Sequence, residues 1–187
     1  MDGHESRIVI AGFGGQGIVS IGNILARAAV IEGKNVVGWV CYGAEMRGGT
    51  ANASVVVSDR EIASPFVNFP NMAIILNGPS LDRFEPLLTQ DGLVLTNTSM
   101  IKREPERTDL TSIKVDATNI AHEIGNFKIA NMIATGAFVE HTGLLKMTSI
   151  EQAISDLFSH KDPKLVELNH KALHAGAERS TCMTPVG

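Results

Sequence analysis

The stretch Gly12-Phe13-Gly14-Gly15-Gln16-Gly17 decides the fold of this chain. It directly follows the apolar segment 7–11 and directly precedes residues 18–26, where apolar residues recur at helical spacing. A strand, a glycine turn and a helix in this order match the G-x-G-x-x-G fingerprint in the context that it requires. Glycine permits positive φ, and the first N–H groups of a helix lack intrahelical partners, so the turn predicts a phosphate or carboxylate site. A strand–glycine–helix junction can also serve packing alone, without binding an anion.

The rest of the chain continues the alternation of strands and helices. Segments typical of strands lie at 35–40, 51–57, 72–76, 93–96 and 113–118, and helical patterns lie at 80–88, 119–124 and 129–143. Two further helices are predicted, one from a capping box of Thr148 and Glu151 and one after Asp162-Pro163. The segment 62–65 predicts an antiparallel edge addition. We therefore expect an α/β fold: a single Rossmann-like, doubly wound, mainly parallel sheet with an antiparallel addition and C-terminal helices.

Composition bounds the possible functions. The length of 187 residues, 44% of them hydrophobic, predicts one domain over 6–178, followed by a flexible tail over 179–187. The net charge of −4 disfavours nucleic acid and anionic membranes, and no apolar stretch is long enough to span a bilayer. The start of the chain lacks the features of a secretory signal, which predicts a cytoplasmic protein.

Metal and redox chemistry finds little support in the sequence. Cys41 and Cys182 are far apart, so thiolates of this chain alone cannot hold an iron–sulfur cluster or a zinc ion. His170 and His174 stand four residues apart without the acidic residue of H-E-x-x-H, which favours a solvated helix face over a metal site. We predict no catalytic residue and no metal ligand.

A second glycine-rich loop follows the second predicted strand. Where a nicotinamide dinucleotide site has an Asp or Glu for the ribose, this chain has Val40-Cys41, followed by Tyr42-Gly43-Ala44-Glu45-Met46-Arg47-Gly48-Gly49. One reading pairs Glu45 with Arg47 at a simple turn. The other, which we favour, directs Arg47 at an anion beside the first glycine turn, since both loops follow carboxyl ends of strands.

The two glycine loops at this separation, together with Ser58-Asp59, resemble the gamma subunit of the 2-oxoacid:ferredoxin oxidoreductases over about residues 6–176. The second loop is more similar to the 2-oxoglutarate and 2-ketoisovalerate branches than to the pyruvate branch. The resemblance implies an enzyme complex that decarboxylates a 2-oxoacid on thiamine diphosphate and Mg, reduces ferredoxin through iron–sulfur clusters and acylates coenzyme A.

Because the chain lacks motifs for those cofactors, the resemblance implies that none binds to this chain alone and that they lie on partner subunits, alpha and beta, with delta as a further candidate. The glycine loops would then shape or close the active site or the coenzyme A entry. Two alternatives stay open: a stand-alone nucleotide-binding Rossmann-like protein, and a purely scaffolding subunit. We also expect self-association of the isolated chain. The residues predicted to bind an anion of a ligand or partner are Gly12, Gly14, Gly15, Gln16, Gly17, Tyr42, Glu45, Arg47, Gly48 and Gly49.

Overall fold

A computed structural model describes residues 5–41, 50–160 and 162–185. The strands are β1 (Glu5–Phe13), β2 (Asn35–Cys41), β3 (Thr50–Ser58), β4 (Met72–Ile75), β5 (Leu93–Asn97), β6 (Thr111–Val115) and β7 (Thr181–Met183). The α-helices are α1 (Ile18–Ile31), α2 (Gly78–Phe84), α3 (Ala117–Ile124), α4 (Ala130–Thr142), α5 (Met147–Leu157) and α6 (Pro163–Arg179). Two short 3₁₀ helices, Glu85–Leu87 and Phe127–Ile129, follow α2 and precede α4.

The strands form one seven-stranded sheet in the order β2-β3-β1-β4-β5-β6-β7. Strands β1, β4, β5 and β6 are parallel, whereas β3 is antiparallel to both of its neighbours and β7 is antiparallel to β6. The prediction of an α/β fold with a mainly parallel sheet and an antiparallel addition is confirmed. The predicted position of that addition is wrong, because residues 62–65 form no strand and β3 lies inside the sheet.

The short connection between β2 and β3 explains this topology. Eight residues, 42–49, separate the two strands, and a parallel crossover needs a dozen residues or more, so the strands pair as a hairpin. Because β1 and β2 are each antiparallel to β3, they run in the same direction. Phe13 pairs with Thr50 and Cys41 pairs with Asn52. β2 therefore ends and β3 begins at the carboxyl edge, the edge where β1, β4, β5 and β6 also end.

Each face of the sheet carries its own apolar core. On one face, alternate β1 residues such as Ile8 and Ile10 belong to a core with residues of α1, α3, α4, α5 and α6. On the other face, which we call the α2 face, Val9 and Ala11 belong to a smaller core with α2. Burial of both faces suits the central parallel strands, which is why β4 and the second half of β1 are nearly continuous apolar runs.

Helices α4 and α6 cross with unusually close backbones. A Cβ added to Gly136 would lie 2.7 Å from the Leu173 carbonyl carbon, and one added to Gly176 would lie 2.7 Å from the Ile133 carbonyl carbon. The two contacts are reciprocal, since each glycine faces the backbone of the other helix. Any larger residue at either position must push the helices apart.

The C-terminal third differs from prediction in two places. Helix α5 begins at Met147 without a side-chain cap, so the predicted capping box of Thr148 and Glu151 does not form. The segment expected as a flexible tail instead includes β7, which pairs with β6. The predicted start of α6 is confirmed, because the Asp162 carboxylate accepts a hydrogen bond from the Lys164 N–H at 2.9 Å. Among the described helices, none combines the length and the hydropathy that crossing a bilayer requires.

Candidate anion site at the carboxyl edge

The glycine turn after β1 has the backbone conformation that its sequence predicts. Gly15 (φ 89°) and Gly17 (φ 75°) are left-handed, a conformation that residues with a Cβ adopt only with strain. Gly17 is also the N-cap of α1, and no side chain caps the N–H groups that follow it. Gly14 and Gly15 are exposed at the carboxyl edge. The turn thus presents free backbone donors at a helix N-terminus, the arrangement that attracts anions.

The side chain of Gln16 bridges the ends of two neighbouring strands. Its Oε1 accepts a hydrogen bond from the Phe13 N–H at 2.6 Å, and its Nε2 donates to the Leu76 carbonyl oxygen at 3.4 Å. Gly12 makes room for it, because a Cβ at Gly12 would lie 2.5 Å from Gln16 Oε1. The amide thus lies across the crevice between β1 and β4, the switch point where doubly wound folds bind dinucleotides.

Beside Gln16 opens a cavity of about 340 Å³, which we call the edge pocket. Its lining residues are Gly14, Gly15, Gln16, Leu76, Asn97, Met100, Thr118, Phe127, Lys128, Ala130 and Asn131. They come from the glycine turn, the ends of β4 and β5, and the starts of α3 and α4. The volume lies at the lower end of the range for small-molecule pockets.

The potential in the edge pocket favours negative charge. The glycine turn that lines it leads directly into the N-terminus of α1, which has no side-chain cap and no acidic residue in its first turn. Ala130 and Asn131 at the start of α4 line it as well, but there the Asn131 Oδ1 accepts a hydrogen bond from the Met132 N–H at 3.0 Å. The N-terminus of α3 differs, because the Ser99 hydroxyl accepts hydrogen bonds from the N–H groups of Thr118 and Asn119. Lys128 adds a cation, and no Asp or Glu is among the described lining residues. A helix N-terminus stabilises an anion by roughly 0.3–1 kcal/mol.

Two buried amides shape the inner wall of the edge pocket. Asn97, 1% exposed, donates from Nδ2 to Thr118 Oγ1 at 2.9 Å, while its Oδ1 has no hydrogen-bond partner among the described residues. Asn131, 8% exposed, packs against Gly17, where an added Cβ would lie 2.9 Å from the Asn131 Cγ. An unpaired buried acceptor costs free energy unless a ligand or water satisfies it, so Asn97 marks this wall as a polar contact point. Phe127, 71% exposed, and Met100 form an apolar rim.

Comparison with known proteins identifies the family. The family model described as pyruvate ferredoxin/flavodoxin oxidoreductase matches residues 7–179. The chain belongs to this family. Ketoisovalerate oxidoreductase subunit VorA of Methanothermobacter marburgensis is 40% identical over 176 residues, which cover 93% of this chain and 36% of VorA. The chain thus spans about a third of the length of that relative.

Two gamma subunits match along nearly their whole length. The common gamma subunit of the pyruvate/ketoisovalerate oxidoreductases of Pyrococcus abyssi is 36% identical over 180 residues, covering 90% of this chain and 94% of that subunit. The crystal structure of the keto/oxoacid ferredoxin oxidoreductase gamma subunit from Geobacter sulfurreducens has a TM-score of 0.79 at 28% identity, covering 92% of this chain and 96% of that one. The predicted resemblance to gamma subunits is confirmed.

In this family member, the predicted site residues divide into two groups. Of the first loop, Gly14, Gly15 and Gln16 line the edge pocket, Gly17 caps α1 above Asn131, and Gly12 serves packing. The second-loop residues Tyr42, Glu45, Arg47, Gly48 and Gly49 lie outside the described residues. Their approach to the glycine turn stays a prediction, for which the pairing of Thr50 with Phe13 provides the geometry.

The residues of the inner wall of the edge pocket are not among those predicted from the sequence. Asn97 and Thr118 stand directly at the ends of predicted strands, a position that signals the carboxyl edge of a parallel sheet. Asn131 is a polar residue at the start of a strongly apolar helix, which was a usable signal as well. Phe127 and Lys128 carry no signal of their own, because only the tertiary fold brings the start of α4 beside the glycine turn.

The two histidines that raised the metal question tie α6 to α5. His170 Nε2 lies 3.1 Å from the Glu151 carbonyl oxygen, and His174 Nε2 lies 2.6 Å from Glu151 Oε1. Within residues 5–41, 50–160 and 162–185, no group of three His, Cys, Asp or Glu side chains is arranged to hold a metal ion. Both histidines thus join α6 to α5 through Glu151.

Proposed function

We propose that this chain is the gamma subunit of a 2-oxoacid:ferredoxin oxidoreductase. The carboxylate of the 2-oxoacid leaves as CO₂, the acyl group forms a thioester with coenzyme A, and the released electrons reduce ferredoxin. One observation carries the proposal: the family match extends over residues 7–179, and two relatives that the chain covers almost completely are named gamma subunits. A cytoplasmic location is part of the proposal.

The proposal assigns the redox cofactors to partner subunits. Ligation of an iron–sulfur cluster takes four thiolates, and the sequence has two cysteines, of which Cys182 is free and exposed. The described residues hold no group of metal ligands that fits a magnesium diphosphate. Thiamine diphosphate, Mg and the clusters would then lie on alpha and beta subunits, or on a delta subunit, and ferredoxin would dock on the assembled complex.

The contribution of this chain lies in a step that different 2-oxoacids share. The Pyrococcus relative is named as a subunit common to pyruvate and ketoisovalerate oxidoreductases, so that subunit serves two substrates. We expect the same here: the edge pocket, together with Arg47, would bind an anionic group such as a coenzyme A phosphate or a partner carboxylate. The uncapped N-terminus of α1, Lys128 and the lack of Asp or Glu among the described lining residues support this role.

Co-purification tests the proposal. The chain, purified from its native host, should bring alpha and beta subunits that contain iron–sulfur clusters and thiamine diphosphate. A lone chain that retains a nucleotide would support the nucleotide-binding alternative instead. Calorimetry adds a second test. Because Val40-Cys41 stands where a nicotinamide dinucleotide site has an acidic residue for the ribose, NAD should show no micromolar binding, equivalent to about −8 kcal/mol.

The role of Arg47 is tested in the assembled enzyme. Replacing Arg47 by Ala removes a charge-assisted contact of roughly 1.5–3 kcal/mol, which predicts a ten- to hundredfold loss in coenzyme A affinity or in assembly. Arg60→Ala is the matched control, since Arg60 is exposed just after β3, at the opposite edge of the sheet. If coenzyme A half-saturation, assembly and turnover all stay within twofold for Arg47→Ala, Arg47 only pairs with Glu45, and the anion role is refuted.

A further inference from the structure

Two amides in the wall of the edge pocket have hydrogen-bonding groups without a partner. Asn131 is 8% exposed, and its Oδ1 accepts a hydrogen bond from the Met132 N–H, whereas its Nδ2 donates to no described residue. Asn97 is 1% exposed, and its Nδ2 donates to Thr118 Oγ1, whereas its Oδ1 has no partner in the described part of the chain. A buried polar group without a partner costs free energy, so the two amides point to a ligand in the pocket.

The free donor of Asn131 lies beside the glycine turn. A Cβ added to Gly17 would collide with Asn131 Nδ2, and Gly17 is the N-cap of α1, a helix 14 residues long. Lys128 lines the same pocket. The amide donor, the backbone N–H groups of an uncapped helix N-terminus and a cation all complement negative charge, and after a glycine turn a phosphate group is the usual ligand. This part of the pocket therefore suits a phosphate.

The pair of Asn97 and Thr118 suits a hydroxyl group instead. Both residues line the edge pocket. Thr118 Oγ1 accepts the hydrogen bond from Asn97, so the hydroxyl hydrogen of Thr118 stays free to donate. The pair thus offers one acceptor, Asn97 Oδ1, and one donor, the Thr118 O–H. A ligand hydroxyl both donates and accepts, whereas an ionised carboxylate only accepts and would leave Asn97 Oδ1 without a partner.

We infer that the edge pocket binds a phosphate ester of a sugar: Asn131 and the N-terminus of α1 hold the phosphate, and Asn97 with Thr118 holds a sugar hydroxyl. The inference rests on the proposed function, since it takes the edge pocket as the anion site and narrows the anion from any phosphate or carboxylate to a sugar phosphate. The exposed Phe127 ring at the rim is a surface on which a base can stack, if the sugar phosphate belongs to a nucleotide.

NMR titration of the full chain tests the inference with two probes of equal carbon number. Ribose 5-phosphate has the phosphate and the hydroxyl groups, whereas n-pentyl phosphate has the phosphate alone. Both probes should shift the backbone amide resonances of residues 14–19, and only ribose 5-phosphate should shift the side-chain amide resonances of Asn97. AMP adds a base: it should bind more tightly than ribose 5-phosphate if the source is a nucleotide, and equally tightly if the source is a free sugar phosphate.

Three variants separate the two parts of the pocket. Asn131→Ala should weaken the binding of both probes at least tenfold, because a hydrogen bond to the charged phosphate is lost. Thr118→Val should lower the affinity of ribose 5-phosphate relative to pentyl phosphate at least threefold, because only the sugar uses this hydroxyl. Asn119→Ala is the matched control: the exposed Asn119 amide donates to Asp116 outside the pocket, so both affinities should stay unchanged. The thermal midpoint of each variant verifies that it is folded.

Two results would overturn the inference. If ribose 5-phosphate and pentyl phosphate shift the same resonances and Thr118→Val weakens both equally, the pocket does not recognise a hydroxyl. If neither phosphate ester shifts the amides of the glycine turn, the pocket binds no phosphate, and a response to acetate would then indicate a partner carboxylate. Both results leave the proposed function standing, because co-purification with alpha and beta subunits tests it separately. If co-purification fails, the proposed function fails, while the affinities of the isolated chain still decide the inference.

Discussion

Substitutions at two glycines of the first loop measure how closely the Asn131 side chain packs against the glycine turn. Gly15 and Gly17 are both left-handed, but a Cβ at Gly15 would meet nothing within 4 Å, whereas one at Gly17 would collide with the Asn131 side chain. An L-residue in this conformation costs roughly 1–2 kcal/mol. Overpacking adds roughly 1–3 kcal/mol. We therefore expect Gly15→Ala to lower the free energy of unfolding by about 1 kcal/mol and Gly17→Ala by about 3 kcal/mol.

Urea unfolding of a double-mutant cycle measures the contact directly. Asn131→Ala removes the side chain against which the new Cβ would press, so the double variant of Gly17 and Asn131 should recover about 1–2 kcal/mol relative to additivity. Gly15→Ala combined with Asn131→Ala should be additive within about 0.5 kcal/mol. In the assembled enzyme, Gly17→Ala should also raise coenzyme A half-saturation more than Gly15→Ala does, because it displaces a wall of the edge pocket.

The refuting result is equally definite. If Gly15→Ala and Gly17→Ala destabilise the chain equally, within about 0.5 kcal/mol, and the Gly17 cycle shows no coupling, then Asn131 does not pack against the turn. The edge pocket would then lack the inner wall described above.

Three further predictions concern stability. Gly136→Ala should lower the unfolding free energy by about 2 kcal/mol and the thermal midpoint by about 4–8 °C. The reason is that the clash with the Leu173 backbone outweighs a helix-propensity gain of about 1 kcal/mol. Gly22→Ala is the control: Gly22 has only ordinary contacts in α1, so this variant should be neutral or stabilising. Glu85→Ala should lower the free energy of unfolding in urea by about 3 kcal/mol. The buried Glu85 carboxylate accepts hydrogen bonds from Arg103 Nη1 at 2.9 Å, from the Arg107 N–H at 2.8 Å and from the Glu106 N–H. Coenzyme A binding by the folded variant should be unchanged. Hydrogen bonds from Arg107 and Arg179 lower the pKa of Asp109 and Glu123, respectively, and hydrogen bonds from Gln152 and then Arg27 lower the pKa of Asp156. Since these pKa values are lower in the folded state, the stabilisation is complete above about pH 5 and is lost as the pH falls below about 4; a thermal midpoint that stays constant down to pH 3 would contradict it.

Local signals in the sequence predicted most of the fold. Apolar runs bounded by glycine and polar turns predicted β1, β4 and β5, and the Asp162-Pro163 pair marked the start of α6. The predicted strand 113–118 overlaps β6 (Thr111–Val115) only in part, because α3 begins at Ala117. The position of β3 between β1 and β2 depends on which strands pair, and periodicity contains no information about pairing. The capping box failed because α5 begins one residue before Thr148, which places that residue inside the helix.

The site could be predicted only in part. The turn geometry of Gly15 and Gly17 follows from the fingerprint, but the fingerprint does not show that Gln16 bridges β1 and β4. The edge pocket brings residues 14–16 together with residues 127–131, which are more than a hundred positions away. Contacts of that separation arise from the tertiary fold, so a single sequence gives no local pattern for them.

The hairpin of β2 and β3 has a consequence for how this family can evolve. A hairpin connection joins neighbouring strands, and doubling the length of such a loop costs only about 0.6 kcal/mol, so insertions and substitutions within 42–49 leave the sheet intact. The glycine turn has no such freedom, because Gly12 and Gly17 are each held against a neighbouring side chain. The first loop of the predicted site is thus fixed by packing, whereas we expect the second loop to tolerate mutation. Libraries randomised at 42–49 should yield folded chains in which new ligand or partner preferences can be selected.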